Sequence, residues 1–138
     1  MSEIAAFEKF LVAELKNIGA VATCVGGKIY NSVAPPSAKF PFLIFTVIPL
    51  DDRSGQAGFS IQTRLLCDIK IVSDLPLPAS VDAAVAAIKT KFGNPETFTS
   101  GSFRIAVRHG KPISFAGKGA TPSEQVMNRG GTYRIWIS

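Results

Sequence analysis

The 138 residues include 46% hydrophobic and only 18% charged side chains, enough apolar material for one buried core and one domain, which excludes global disorder. The longest apolar run, residues 40–50, is interrupted by Pro41 and Pro49 and falls far short of the roughly 20 residues a membrane-spanning helix needs. The net charge of +5 resides in the last 38 residues, where Arg104, Arg108, Lys111, Lys118, Arg129 and Arg134 are opposed by Glu124 alone, so one face or rim is expected to be basic.

At the N-terminus, Glu3 and Glu8 stand where a secretory signal would carry a basic start and an apolar stretch, so folding inside the cell is expected. Ile4, Phe7, Phe10, Leu11, Leu15 and Ile18 recur at three- and four-residue spacing and predict an amphipathic helix, capped by Ser2 and stopped by Gly19. Residues 21–30 read as a short extended piece broken at Gly26-Gly27, and 31–39, with Pro35-Pro36, as a loop. Residues 42–48 are β-branched and aromatic between prolines, the pattern of a central strand buried on both faces.

Residues 51–58 (DDRSGQAG) have one small apolar side chain and two glycines and predict an exposed connection. The clearest periodicity follows. Phe59, Ile61, Thr63, Leu65, Cys67, Ile69 and Ile71 alternate with Ser60, Gln62, Arg64, Leu66, Asp68 and Lys70, a long strand with one buried face on which only Leu66 breaks the polar side. The connection is too short for a helical crossover, so the two strands are expected to be antiparallel. A second helix begins at Ser80, turns Val81, Ala84, Val85, Ile88 and Phe92 inward and stops at Gly93.

Phe103, Ile105 and Val107 alternating with Arg104, Ala106 and Arg108 predict a third strand, residues 112–115 a short fourth, and Tyr133, Ile135 and Ile137 a last one. Between these, residues 116–131 are rich in Gly, Ser, Thr, Pro and Asn and read as a long loop, which in a compact domain is usually functional. The order of elements predicts an α+β sandwich, a mainly antiparallel sheet with two helices on one face.

Catalytic chemistry is sparse. His109 is the one histidine, which leaves no multi-histidine metal site and little acid–base capacity. Asp51-Asp52 lie beside Ser and Gly and read as turn-formers, not a catalytic pair. The segment 117–121, Gly-Lys-Gly-Ala-Thr, lacks the spacing of a phosphate loop. Cys24 and Cys67 are far apart and in no metal or redox motif, so they are expected to be buried small hydrophobes. Neither metal nor cofactor is expected.

Val25-Gly26-Gly27-Lys28-Ile29-Tyr30, Ala34-Pro35-Pro36, Phe40-Pro41-Phe42, the strand 43–48, Asp68-Ile69-Lys70-Ile71 and the closing Tyr133-Arg134-Ile135-Trp136-Ile137 together resemble the tail-completion proteins of long-tailed bacteriophages. These are tail terminators or tail-to-head joining proteins. Lys28 stands where that pattern commonly has arginine, keeping the charge without the bidentate fork. The resemblance implies a non-enzymatic virion protein that forms a homo-oligomeric, hexameric ring at the head-proximal end of the tail tube. It ends tube growth and joins the tube to the head connector, with DNA passing through unspecifically.

That role needs a repeated, closing interface and no active site. On this reading Asp51, Asp52, Arg53, Ser54, Gln56, Lys118, Thr121, Glu124 and Arg129 are the candidate residues for contacts with neighbours and tube. Arg104, Arg108, Lys111 and Arg134 form the basic face, expected to meet an acidic patch of a partner. The competing reading is a small basic nucleic-acid-binding module, favoured by a pI near 9.5.

Overall fold

The computed structural model describes residues 3–54, 60–74, 77–92, 96–100, 103–118 and 125–137. Helix α1 (Glu3–Lys16) buries Phe7, Phe10, Leu11 and Leu15 along the expected stripe. It ends as its last turn tightens, with Asn17 and Ile18 N–H groups bonding back to Glu14 and Leu15 carbonyls at 3.2 Å. Gly19 does not stop the helical run; it opens a second helix, α2 (Gly19–Val25), where an extended piece is expected. The reason is spacing: Val21, Cys24 and Val25 sit one turn apart and are all buried. Gly26 closes α2 in the left-handed conformation (φ 60°), its N–H on the Ala22 carbonyl at 3.0 Å.

The strands are β1 (Ile29–Asn31), β2 (Phe42–Ser54), β3 (Ser60–Asp74), β4 (Glu96–Ser100), β5 (Phe103–Lys118) and β6 (Gln125–Ile137), with helix α3 (Ala79–Phe92) between β3 and β4. They form one sheet in the order β1-β2-β3-β6-β5-β4, antiparallel throughout except for the β1–β2 pair. The α+β class and the β2–β3 hairpin agree with the sequence reading, but β2 is not central: β3 and β6 are. Only its first residues, Phe42 and Leu43, are buried on successive faces, and Ile48 is exposed.

Three further expectations are corrected. Residues Asp51, Asp52, Arg53 and Ser54 are not loop but the end of β2, paired with Arg64, Thr63, Gln62 and Ser60 past two bulges. The supposed long loop 116–131 is mostly a hairpin: β5 runs unbroken from Phe103 through 112–115 to Lys118, and β6 already begins at Gln125. Cross-strand pairing holds this glycine-rich segment extended where side-chain propensity alone does not. Strand β4 arises where only a polar connection is expected, because Phe98 reaches the core between Phe10 and Phe92, at ring separations of 5.3 and 5.7 Å.

Among the described residues, the three helices all cover one face of the sheet. Their apolar stripes close on Leu43, Phe45, Leu65, Cys67, Ile69, Ile71, Ile105, Val107, Tyr133, Ile135 and Ile137 in one cluster. Arg129 also lies on this face, paired with Asp82 of α3 at 3.2 Å. Asp82 is largely exposed, so Asp82→Asn is expected to lower stability by less than about 1 kcal/mol in urea unfolding. A second, smaller cluster lies on the opposite face, where Ala34, Ala38 and Phe40 of the proline-rich segment pack on Phe42, Val72 and Val126.

Both cysteines are free and buried. Burial pushes the Cys67 thiol and the Tyr133 phenol well above their ordinary pKa values. In the unfolded chain these groups ionise from about pH 8.5 and 10 respectively, whereas the folded chain keeps their protons. Their contribution to stability is therefore intact below about pH 8.5 and declines as pH rises above it. Urea unfolding between pH 7 and 10 is expected to show this decline, and Cys67→Ala, less stable at pH 7, is expected to show a flatter one.

Candidate functional site

On strands with one face sealed by helices, the alternate residues define the other face. The register aligns them in rows: Ile48, Leu66, Arg134 and Arg108; Arg64, Trp136 and Ala106; Thr46, Asp68 and Thr132. No helix among the described residues lies on this face. Of the basic residues read from the sequence, Arg108 and Arg134 are brought together as directly opposed strand partners, both exposed. Arg104 lies further along β5 on the same face, exposed and paired with Thr99. Like charges opposite one another on a sheet are unfavourable in the isolated chain. A negatively charged partner turns that cost into attraction.

Lys111 sits in the bulge between His109 and Pro112. Its N–H donates to Thr132 Oγ1 at 2.8 Å, and the Thr132 hydroxyl donates to its carbonyl at 3.3 Å, so one side chain of β6 holds the bulge in shape. A Cβ on Gly110 would come within 2.7 Å of that hydroxyl. His109 turns to the helix side, edge-on to Tyr133 at 5.3 Å. Burial, with Lys89 nearby, lowers its pKa and favours the neutral imidazole.

The face without helices is grooved. A groove of about 460 Å³ runs there between Ile44, Thr46, Asp68 and Lys70 on one side and residues 112–115 on the other. The Lys70 ammonium lies 5.5 Å from the centre of the exposed Phe115 ring. On the groove floor, Asp68 Oδ1 is buried and lacks a hydrogen-bond partner among the described residues, an acceptor that a donor from outside would satisfy. A second groove, of about 520 Å³, follows α1 along the outer side of β1, lined by Lys9, Val12, Lys16, Ile29 and Phe45. Asn31 donates to the Glu8 carboxylate at its end.

The predicted contact residues separate. Asp51, Asp52, Arg53 and Ser54 end β2, and Lys118 ends β5, at the opposite corner of the sheet. Gln56, Thr121 and Glu124 lie outside the described residues. Arg129 lies on the helix side, its side chain paired with Asp82 of α3. Phe115 and Ile48 were not singled out as site residues, and Asp68 and Lys70 entered the sequence reading only as strand positions and as part of the family motif. Leu66, the one apolar break on the polar side of β3, was the available signal that this face is more than a solvated surface.

No protein-family model matches the chain, and no curated protein does. A protein of solved structure, designated by a sequence number alone, is similar over 100% of this chain and 96% of its own, with a TM-score of 0.60 and 18% identity. At that identity the likeness is one of fold.

Proposed function

We propose that this chain is a non-enzymatic virion structural protein of the tail-completion kind. It forms a ring, hexameric in that class, on the head-proximal end of the tail tube of a long-tailed bacteriophage, assembled in the host cytoplasm. The ring ends tube growth and joins the tube to the head connector, and DNA passes through without specific binding.

The observation that carries this reading is the sheet face that no described helix covers, open beyond the corner where residues 34–40 pack. A single layer of helices seals one side, while the other presents opposed Arg108 and Arg134, Arg104 and a concave groove. Such a surface fits a large partner better than a small substrate, and among the described residues no three His, Cys, Asp or Glu side chains gather into a cluster. The ordered motifs from Val25 to Ile137 add the family resemblance.

The test is to add the purified protein to growing tail tubes and count capped ends by electron microscopy. Capping is expected, and the double variant Arg108→Glu/Arg134→Glu, folded by circular dichroism, is expected to lose head joining at least roughly tenfold, as removal of a paired charge set does. Tubes that grow uncapped overturn the proposal. The opposed arginines also favour a second reading, a nucleic-acid-binding module. Its signature is DNA binding that weakens steeply as salt rises, and such binding without capping would decide for it.

A further inference from the structure

The sheet is not closed at its sides. Strand β1 pairs with β2 only over Leu43–Phe45, and β4 pairs with β5 only over Phe103–Val107. Among the described residues, the outer edge of β2 from residue 46 to 54 and that of β5 from 108 to 118 therefore have no strand beside them. Unpaired strand edges are templates for another strand. On β2 the outward-pointing groups can be assigned up to the bulge after Pro49. Leu43 N–H bonds the Lys28 carbonyl and Ser32 N–H bonds the Phe45 carbonyl, so odd-numbered residues there direct their main chain outward, and Val47 is the next in line.

Two independent observations point to these edges as contact surfaces. The exposed large hydrophobic residues among those described are Val33, Ile48, Leu50 and Phe115, and three of the four lie on the two open stretches. The stretches also differ in charge: β2 carries Asp51 and Asp52 against Arg53, a net negative charge, whereas β5 carries Arg108, Lys111 and Lys118 with no acidic residue. We infer that copies of this chain join head to tail, the open edge of β2 in one copy pairing with the open edge of β5 in the next.

The topology makes this pairing antiparallel. Successive antiparallel pairs β2–β3, β3–β6 and β6–β5 leave β2 and β5 running in opposite directions, so a neighbour in the same orientation meets the edge antiparallel. Full overlap of the two stretches puts Asp52 across from the Lys111–Pro112 bulge. Pro49 and that bulge limit the number of main-chain bonds and discourage slippage to other registers. The open stretches occupy diagonally opposite corners of the sheet. Each junction therefore displaces the next copy along the strand direction, and a ring closes only with strands tilted to its axis, as in a barrel.

This deepens the assembly reading by naming where copies meet, and the two can fail separately. Three full-length proteins are compared by sedimentation over a wide concentration range: wild type, Asp51→Lys/Asp52→Lys and Lys111→Glu. Wild type is expected to associate beyond a dimer as concentration rises, and each variant alone to associate at least roughly tenfold more weakly. An equimolar mixture of the two variants is expected to regain association, because each supplies the edge the other now attracts. Loss of fold cannot produce that rescue. Wild type that stays monomeric at every concentration, variants that associate as it does, or a mixture that fails to recover overturns edge pairing. Variants that still cap tubes normally overturn it while leaving the assembly reading intact, and edge pairing without capping does the reverse.

Discussion

Gly130→Ala is expected to cost roughly 3 kcal/mol or more, a large part of the stability of a domain this size, and to lower the melting temperature by about 10 °C or more. A Cβ on Gly130 would lie 1.9 Å from the Ile69 carbonyl oxygen, 2.7 Å from Lys70 Cα and 2.8 Å from the Ile69 carbonyl carbon. All three are main-chain atoms of β3, so relief requires the two central strands to move apart. Gly130 is held from both sides, paired with Lys70 on β3 and Ile113 on β5. Gly19→Ala is the control. Nothing stands within 4 Å of a Cβ there, and alanine in a helix is favoured over glycine by about 1 kcal/mol. Calorimetry of the two variants should give shifts of opposite sign; a Gly130→Ala protein as stable as wild type would mean that β6 does not approach β3 so closely.

Phe92→Ala should be nearly as damaging, at about 3–5 kcal/mol by urea unfolding. The side chain is fully buried at the end of α3 and meets Phe98 edge-on at 5.7 Å and Tyr133 at 6.2 Å. It is the middle of a line of rings: Phe7 and Phe10 of α1, Phe98 of β4, Phe92 of α3, Tyr133 of β6 and His109 of β5. Truncation leaves a cavity at a point where two layers meet, bordered by the Phe98 and Tyr133 rings. Phe92→Leu keeps most of the volume and is expected to cost under about 1.5 kcal/mol. If both substitutions have the same small effect, the rings are not what holds α3 to the sheet.

Where a side-chain period ran long enough, the fold was legible before the structure. The alternation from Thr63 to Ile71, the stripe from Ile4 to Leu15 and the inward set Val81 to Phe92 each became the element it predicted. Short or unusual segments were not legible. Helix α2 has a single turn of buried side chains after a glycine, and β4 has only Phe98 to declare it. The hairpin of β5 and β6 reads as loop because Gly117, Gly130 and Gly131 have no strand preference; their neighbours' main chains impose the conformation. The site followed the same division. Alternation alone put Arg104, Arg108 and Arg134 on outward sides of their strands, but only the register sets Arg108 against Arg134. The turn of the Arg129 side chain toward Asp82 was not legible, because its strand was not recognised.

The two thiols sit in different layers, Cys24 within the helical cover and Cys67 at the middle of the sheet. Since thiolates, not thiols, react with alkylating reagents, and both are shielded and held protonated by burial, modification has to wait for an opening event. The protein thus carries two internal clocks: labelling at Cys24 ahead of Cys67 times the lifting of the lid, and simultaneous labelling reports rupture of the whole domain at once.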